Sequence, residues 1–260
     1  MYIKPYDELT IQDNFIFQKV MRNKRICKQT IERLLDIDIK DISYPEEEKS
    51  INVRLDSKSI RLDVYVNDDK GTVFNIEMQT TKDMDELVKR ARYYQGLIDI
   101  DNIEKGQNYS ALHDTYIIFI CTLGVFTGKR HKYTFRNLCI EDSEILLNDG
   151  TTKLFLSTKG EADDVSKPLK MFLDYVDGKK PEDALMQEID HEVDTVKHCD
   201  EWRRDYMTLA LEMDKKWREG KAEGKIEAIR NAIKDGLTTL AAVKKSGRYT
   251  EEEIAAIAAP

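Results

Sequence analysis

The chain has 260 residues, 41% of them hydrophobic and 35% charged, with a formal net charge of −8 at neutral pH. This apolar share excludes a disordered chain, and no apolar run approaches the length of a bilayer span, so a soluble protein with no membrane partner is expected. The acidic balance excludes a uniformly basic nucleic-acid binder, because affinity for a polyanion comes largely from Lys and Arg displacing counterions; any DNA surface must be local.

The opening stretch Met1 to Glu8 carries no apolar h-region and no small-residue cleavage site, which makes the cytoplasm the expected location. Residues 9 to 35 read as helical. Phe15, Phe17, Val20, Met21, Ile31, Leu34 and Leu35 recur at roughly helical spacing, with a break near Asn23, and Thr10 with Asp13 makes a capping-box-like pair at the start. Asp13 fits two roles, that cap or an accessory carboxylate approaching a site from the helix. From 51 to 79 the hydrophobic period changes to two, the pattern of strands.

Within that stretch, Ile60 to Val66 and Val73 to Gln79 read as two strands joined by Asn67-Asp68-Asp69-Lys70-Gly71-Thr72. Leu62, Val64 and Val66 share one face with Ile60 and leave Asp63 opposite. Phe74, Ile76 and Met78 share a face and leave Glu77 and Gln79 opposite. A hairpin turning about Lys70 pairs Asn67 with Val73 and sets Asp63 across from Glu77, with Cβ atoms about 4.5–5.5 Å apart. A slip of one residue would turn Glu77 to the apolar side, so the hydrophobic pattern selects the register that clusters the acids. Two facing carboxylates repel unless compensated, and a hard divalent cation compensates them. Mg²⁺ takes oxygen ligands through one or two carboxylates plus substrate phosphate, and Mn²⁺ is a possible substitute.

A long amphipathic helix is expected from Met84 to Glu104, ending at Gly106. Arg90 and Tyr94 fall on one face of it, suited either to gripping a phosphate or to packing on a sheet. Tyr116 to Cys121 is an unbroken apolar run, the mark of a central strand buried on both faces. Tyr133 to Ile140 and Lys153 to Ser157 also read as strands, the second introduced by Asn148-Asp149-Gly150. Leading into the first of these, Lys129, Arg130, His131, Lys132 and Arg136 interleave with Tyr133 and Phe135, which fits a DNA groove or a solvated loop equally.

After Lys167-Pro168 the chain reads as charged helix, with a long element from Trp202 through Ile233 weakened at Gly220 and Gly224. Leu237 to Ile257 reads as two short helices parted at Gly247, the second opened by a Thr250/Glu253 capping box; a helix-turn-helix is one option for it. Cys27, Cys121, Cys139 and Cys199 form no paired motif and are expected to be reduced. The spacing of His191, His198 and Cys199 matches no zinc pattern. The elements add up to an α/β core with a helical appendage.

Asp63 followed across a hairpin by Glu77-Met78-Gln79 resembles the D…(D/E)-x-K signature of the PD-(D/E)XK nucleases, in the E-x-Q form of the Rpn (recombination-promoting nuclease) and PD-(D/E)XK transposase group. Leu9-Thr10, Asp13, Phe17 and Val20 are similar to that group's N-terminal helix, and Lys89-Arg90-Ala91-Arg92-Tyr93-Tyr94 to its post-motif helix. Gly106-Gln107-Asn108-Tyr109 before the apolar strand resembles its G-x-x-Y segment, so the likeness runs from about residue 9 to about 127. The resemblance implies a restriction-endonuclease-like core, a mixed sheet flanked by helices, over residues 1–167, with 168–260 a charged helical region. It implies Mg²⁺-dependent DNA cleavage, with Asp63, Glu77 and the Met78 carbonyl holding the metal and Asp63, Glu77 and Gln79 as catalytic residues. Arg90, Tyr94, Lys129, Arg130 and Lys132 are the candidate substrate contacts. No organic cofactor is expected, and a homodimer is, since cutting both strands of a duplex needs two sites. Leu62 replaces the name-giving proline and Gln79 the usual lysine. Glutamine orients by hydrogen bonds alone, so slow catalysis, or a DNA-binding or protein-interaction module without cleavage, are both consistent with the pattern.

Overall fold

The computed structural model describes residues 2–44, 50–51, 60–80 and 83–259. The part of the period-two stretch that covers 52–59 lies outside them. The predicted N-terminal helix is two helices, α1 (Asn14–Val20) and α2 (Lys24–Leu35), parted where Asn23 caps the second by accepting the Ile26 N–H at 3.3 Å. The N-cap of α1 is Asp13, not Thr10. The Asp13 carboxylate reaches back to the Thr10 N–H at 2.7 Å and makes no cap bond to its own helix, so only half of the expected box forms.

Five two- to five-residue or longer strands follow before the crossover helix: β1 (Ile42–Ser43), β2 (Ser50–Ile51), β3 (Ile60–Arg61), β4 (Val64–Asp68) and β5 (Val73–Gln79). The crossover is α3 (Met84–Asn102), capped by Asp83, which accepts the Glu86 N–H at 2.9 Å. β6 (Thr115–Cys121), β7 (Lys132–Phe135) and β8 (Thr151–Ser157) complete the sheets. One sheet has the order β1-β4-β5-β6-β8-β7, with β5, β6 and β8 parallel and the outer strands antiparallel; β2 and β3 pair separately. The apolar run at 116–121 is thus central, as expected. The strand expected over Tyr133–Ile140 stops at Phe135, beyond which a single bridge joins Leu138 to Leu146.

Helices cover both faces, which makes this the mixed, helix-flanked sheet of the PD-(D/E)XK α/β type. Under α3 lie Tyr65, Val73, Ile117, Phe119, Cys121 and Phe155, packed against Leu87, Ala91, Tyr94, Leu97 and Ile98. α1 approaches β5, while α5 (Ala184–His198) packs on α1 and α2, and α4 (Lys167–Val176) on α2. Cys27 and Cys121 are buried free thiols, pushed up to about 12 by burial.

By internal packing the chain divides into two compact units, Asp7–Cys199 and the residues up to Tyr6 together with the chain from Asp200 onward. α4 and α5 therefore belong with the sheet. In the second unit α6 (Asp200–Lys234) runs through Gly220 and Gly224 without a break, and none of its residues is buried. α7 (Leu240–Lys245) and α8 (Glu251–Ala258) follow, the latter opened by the complete Thr250/Glu253 capping box. No helix among the described residues is long and apolar enough to cross a membrane.

Candidate active site

The turn between β4 and β5 sets the register of everything near it. Asp68 Oδ1 accepts the N–H groups of Lys70 (2.9 Å) and Thr72 (2.8 Å), and Gly71 adopts φ +86, where a Cβ would also strike the His113 ring. Asn67 consequently pairs with Val73 and Val64 with Ile76, the register read from the sequence. One step further, past a bend at Asp63, the ladder is replaced by side chains: the Asp63 N–H donates to Glu77 Oε1 (3.2 Å) and the Met78 N–H to Asp63 Oδ2 (3.1 Å). Each carboxylate thus binds the backbone of the opposite strand. The bend also changes one expected face, because Leu62 packs in the cluster under α3 rather than with Val64 and Val66.

The sequence separates polar from apolar faces of β5, but every residue of the strand is buried. Glu77 is 4% exposed and Gln79 6%, so this face of β5 lies under α3 rather than on an open surface, with Asp63 half-buried beside it. Burial dominates their chemistry. Desolvation lifts the Asp63 carboxyl to about 6 despite hydrogen bonds from Gln18 and Met78; desolvation and then the neighbouring Asp63 charge lift Glu77 well above the ordinary range. Arg90 opposes both shifts.

Three further side chains were not legible as site residues. Gln18 Nε2 donates to Asp63 Oδ1 at 2.8 Å and Asn14 Nδ2 to the same oxygen at 3.4 Å; four residues apart on α1, they share a face. In the amide orientation that satisfies it, Asn75 Nδ2 donates to Glu77 Oε1 at 3.1 Å and to the Val64 carbonyl at 3.2 Å. The only advance signal was the placement of polar Asn14 and Gln18 between the apolar positions of α1.

From α3, Arg90 donates to Gln79 Oε1, and its guanidinium lies over the rings of Phe119 (5.2 Å) and Tyr94 (5.8 Å). Tyr94 is buried with its ring against Phe119, and burial raises its phenol. Asp13 bonds Thr10 rather than the carboxylate pair. In the basic stretch, exposed Lys129 pairs with Glu161 (2.8 Å), Arg130 stands 3.9 Å from Asp164, and Lys132 donates to the Leu34 carbonyl (3.2 Å), burial lowering its pKa. β5, β6 and β8 are parallel, so Glu77 and Gln79 sit at their carboxyl ends, the same end from which the 122–131 loop departs.

The donor set fits a hard divalent cation. Glu77 Oε1 carries the hydrogen bonds and Oε2 has none among the described residues, so one carboxylate oxygen is open next to Asp63. The Met78 carbonyl turns to the same strand edge as its N–H, which already meets Asp63. Among the described residues no three His, Cys, Asp or Glu side chains converge, so two carboxylates and backbone oxygen are the ligands on offer, a set that suits Mg²⁺ more than zinc.

No curated protein and no solved structure gives a significant match to the chain. A family model described as PD-(D/E)XK nuclease family transposase matches residues 14–158, a span that holds α1, the carboxylate hairpin, α3 and the whole six-stranded sheet. That match takes in more than half of the 260 residues, and the chain belongs to the PD-(D/E)XK nuclease family transposases.

Proposed function

We propose that the protein is a Mg²⁺-dependent DNA endonuclease, with Mn²⁺ as a working substitute, in which Asp63, Glu77 and the Met78 carbonyl hold the ion. The observation that carries the reading is the pair Asp63/Glu77, Glu77 buried and Asp63 half-buried, each bonded to the opposite strand's backbone and each raised in pKa by burial. Nucleases of this family use divalent metals, and DNA is their substrate. When bound, the cation would polarise a phosphate and make an attacking water more acidic. The chain's own residues do the rest. Gln18 and Asn14 hold Asp63 Oδ1, and the Met78 N–H holds Oδ2, which fixes the carboxylate for binding. Glu77 is almost wholly buried near Arg90 of α3, so its charge acts in a low-dielectric environment. Hydrolysis then joins a water oxygen to phosphorus, breaks one P–O ester bond and leaves the water's proton on the departing oxygen.

Lys129 and Arg130, exposed on the loop at the carboxyl ends of the strands, are the proposed phosphate contacts, with Lys132 turned inward beside them. A homodimer would bring two such sites to one duplex. Gln79 in place of lysine favours a second reading, a DNA-binding module that keeps the fold without cutting. Incubation of supercoiled plasmid with Mg²⁺, Mn²⁺ or EDTA separates the two: the endonuclease nicks in either metal, not in EDTA, and Asp63→Ala and Glu77→Ala do not nick. A folded protein that nicks in no metal supports the second reading, and equal nicking by all three proteins overturns the first.

A further inference from the structure

Gln79 cannot carry charge, yet it is buried, and its oxygen is occupied by a cation. The Arg90 guanidinium donates to Gln79 Oε1 and is walled by the rings of Phe119 and Tyr94. Its Nε is buried and has no hydrogen-bond partner among the described residues. A guanidinium taken out of water is ordinarily matched by a carboxylate with both faces of the fork satisfied. Here the hydrogen-bond partner is a neutral amide, and one buried donor is left over. Both anions that feel the charge, Asp63 and Glu77, are the proposed metal ligands.

Resting on the endonuclease reading, we infer that Arg90 supplies from α3 the positive charge that the family pattern's lysine would supply from β5, and that Gln79 serves to hold it there. A lysine at 79 would meet the guanidinium at the position where the amide oxygen now accepts from it, so the two arrangements exclude each other: either the strand carries the cation, or the helix carries it and the strand offers an acceptor. The spacing makes this possible. Arg90 lies about two turns into α3, where its side chain reaches Gln79 at the carboxyl end of β5, and Tyr94 one turn later sets its ring against the guanidinium. The half-buried guanidinium then lends its charge at short range to an anionic phosphate at the carboxylates, whose charge grows during hydrolysis. Arg90 is thus a positioning residue with respect to the carboxylates, and its charge opposes the metal's while favouring the phosphate's.

That opposition gives the test a signature no structural role would produce. The full chain is compared as wild type, Asp63→Asn, Arg90→Gln, Arg90→Lys, Gln79→Lys and the double variant Arg90→Gln/Gln79→Lys, by plasmid nicking in Mg²⁺ and by Mn²⁺ titration calorimetry at pH 8. Arg90→Gln is expected to lower kcat roughly 100-fold, as loss of one charge-stabilising donor does, while Mn²⁺ binds no more weakly and rather more tightly. Arg90→Lys, which keeps charge and stem, retains more activity than Arg90→Gln and serves should the neutral variant fail to fold. Gln79→Lys alone crowds two cations and weakens Mn²⁺ binding; the double variant regains at least about tenfold in kcat over Arg90→Gln, the charge having moved to the strand. Arg90→Gln nicking at the wild-type rate, losing Mn²⁺ binding along with activity, or gaining nothing from Gln79→Lys overturns the inference. If wild type nicks and Asp63→Asn does not, the endonuclease reading survives that failure. If wild type neither nicks nor binds Mn²⁺, both fall.

Discussion

Strand β5 is buried along its whole length, yet its two faces are made of opposite chemistry. Phe74, Ile76 and Met78 are aliphatic or aromatic and turn to the side from which α1 approaches, whereas Asn75, Glu77 and Gln79 are polar and turn under α3. The first face is what folding favours, since apolar burial stabilises by about 25 cal/mol per Å². The second is what folding opposes: a buried carboxylate is desolvated, and two of them repel. On the proposed function, a strand that keeps the second face does so to hold a site for a hard cation.

The contrast can be broken first on activity. Asp63→Ala removes a proposed metal ligand, and its loss of Mg²⁺-dependent nicking should exceed the roughly 10–100-fold that attends loss of an outer partner; plasmid gels against time measure it. On stability the order reverses. Phe74→Ala, on the apolar face, should cost about 3–5 kcal/mol in denaturant unfolding. Glu77→Gln, nearly isosteric and without the buried charge, should leave the metal-free protein as stable as wild type or more so at pH 8.

Next in size is Gln18→Ala. It should weaken Mn²⁺ affinity or nicking about 10–100-fold with the melting curve little changed, because Asp63 keeps its bond from the Met78 N–H.

A pH series sharpens the same contrast. The folded Asp63 carboxyl titrates near 6 and Glu77 above its ordinary range, so the folded chain holds protons that the unfolded chain releases near 4. The stability this provides is present below about pH 4 and is lost as pH rises through about 6. In EDTA the wild type should therefore melt lower at pH 8 than at pH 5, Glu77→Gln should show a flatter dependence, and added Mn²⁺ should restore the loss at pH 8 in wild type alone.

The smallest effects belong to the second unit. Gly220→Ala and Gly224→Ala add a Cβ into open space on α6 and should each raise helical stability by up to about 1 kcal/mol without altering nicking.

The register of the site was legible because it depends on counting. Period two, a turn about Lys70 and an aliphatic stripe on each strand leave one pairing, and Asp63 opposite Glu77 follows. What was not legible depends on packing between distant segments. Nothing local to α1 says that Gln18 meets a strand 45 residues later, and nothing in α3 chooses between a phosphate and Gln79 for Arg90. The bend that sends Leu62 under α3 was hidden for a similar reason: alternation assumes a straight strand, and here side-chain bonds from Asp63 and Glu77 replace the ladder. At Thr10 the pairing was right and the role wrong, because a capping box and a reach back from Asp13 place the same two residues three apart.

The most direct test of the claim that this polar face exists to hold a metal is Mn²⁺ titration calorimetry on the wild type beside Asp63→Asn and Glu77→Gln, at pH 8 with no DNA present. The account predicts a binding isotherm for the wild type that disappears in both variants while each remains folded. Equal Mn²⁺ binding by all three proteins would contradict it.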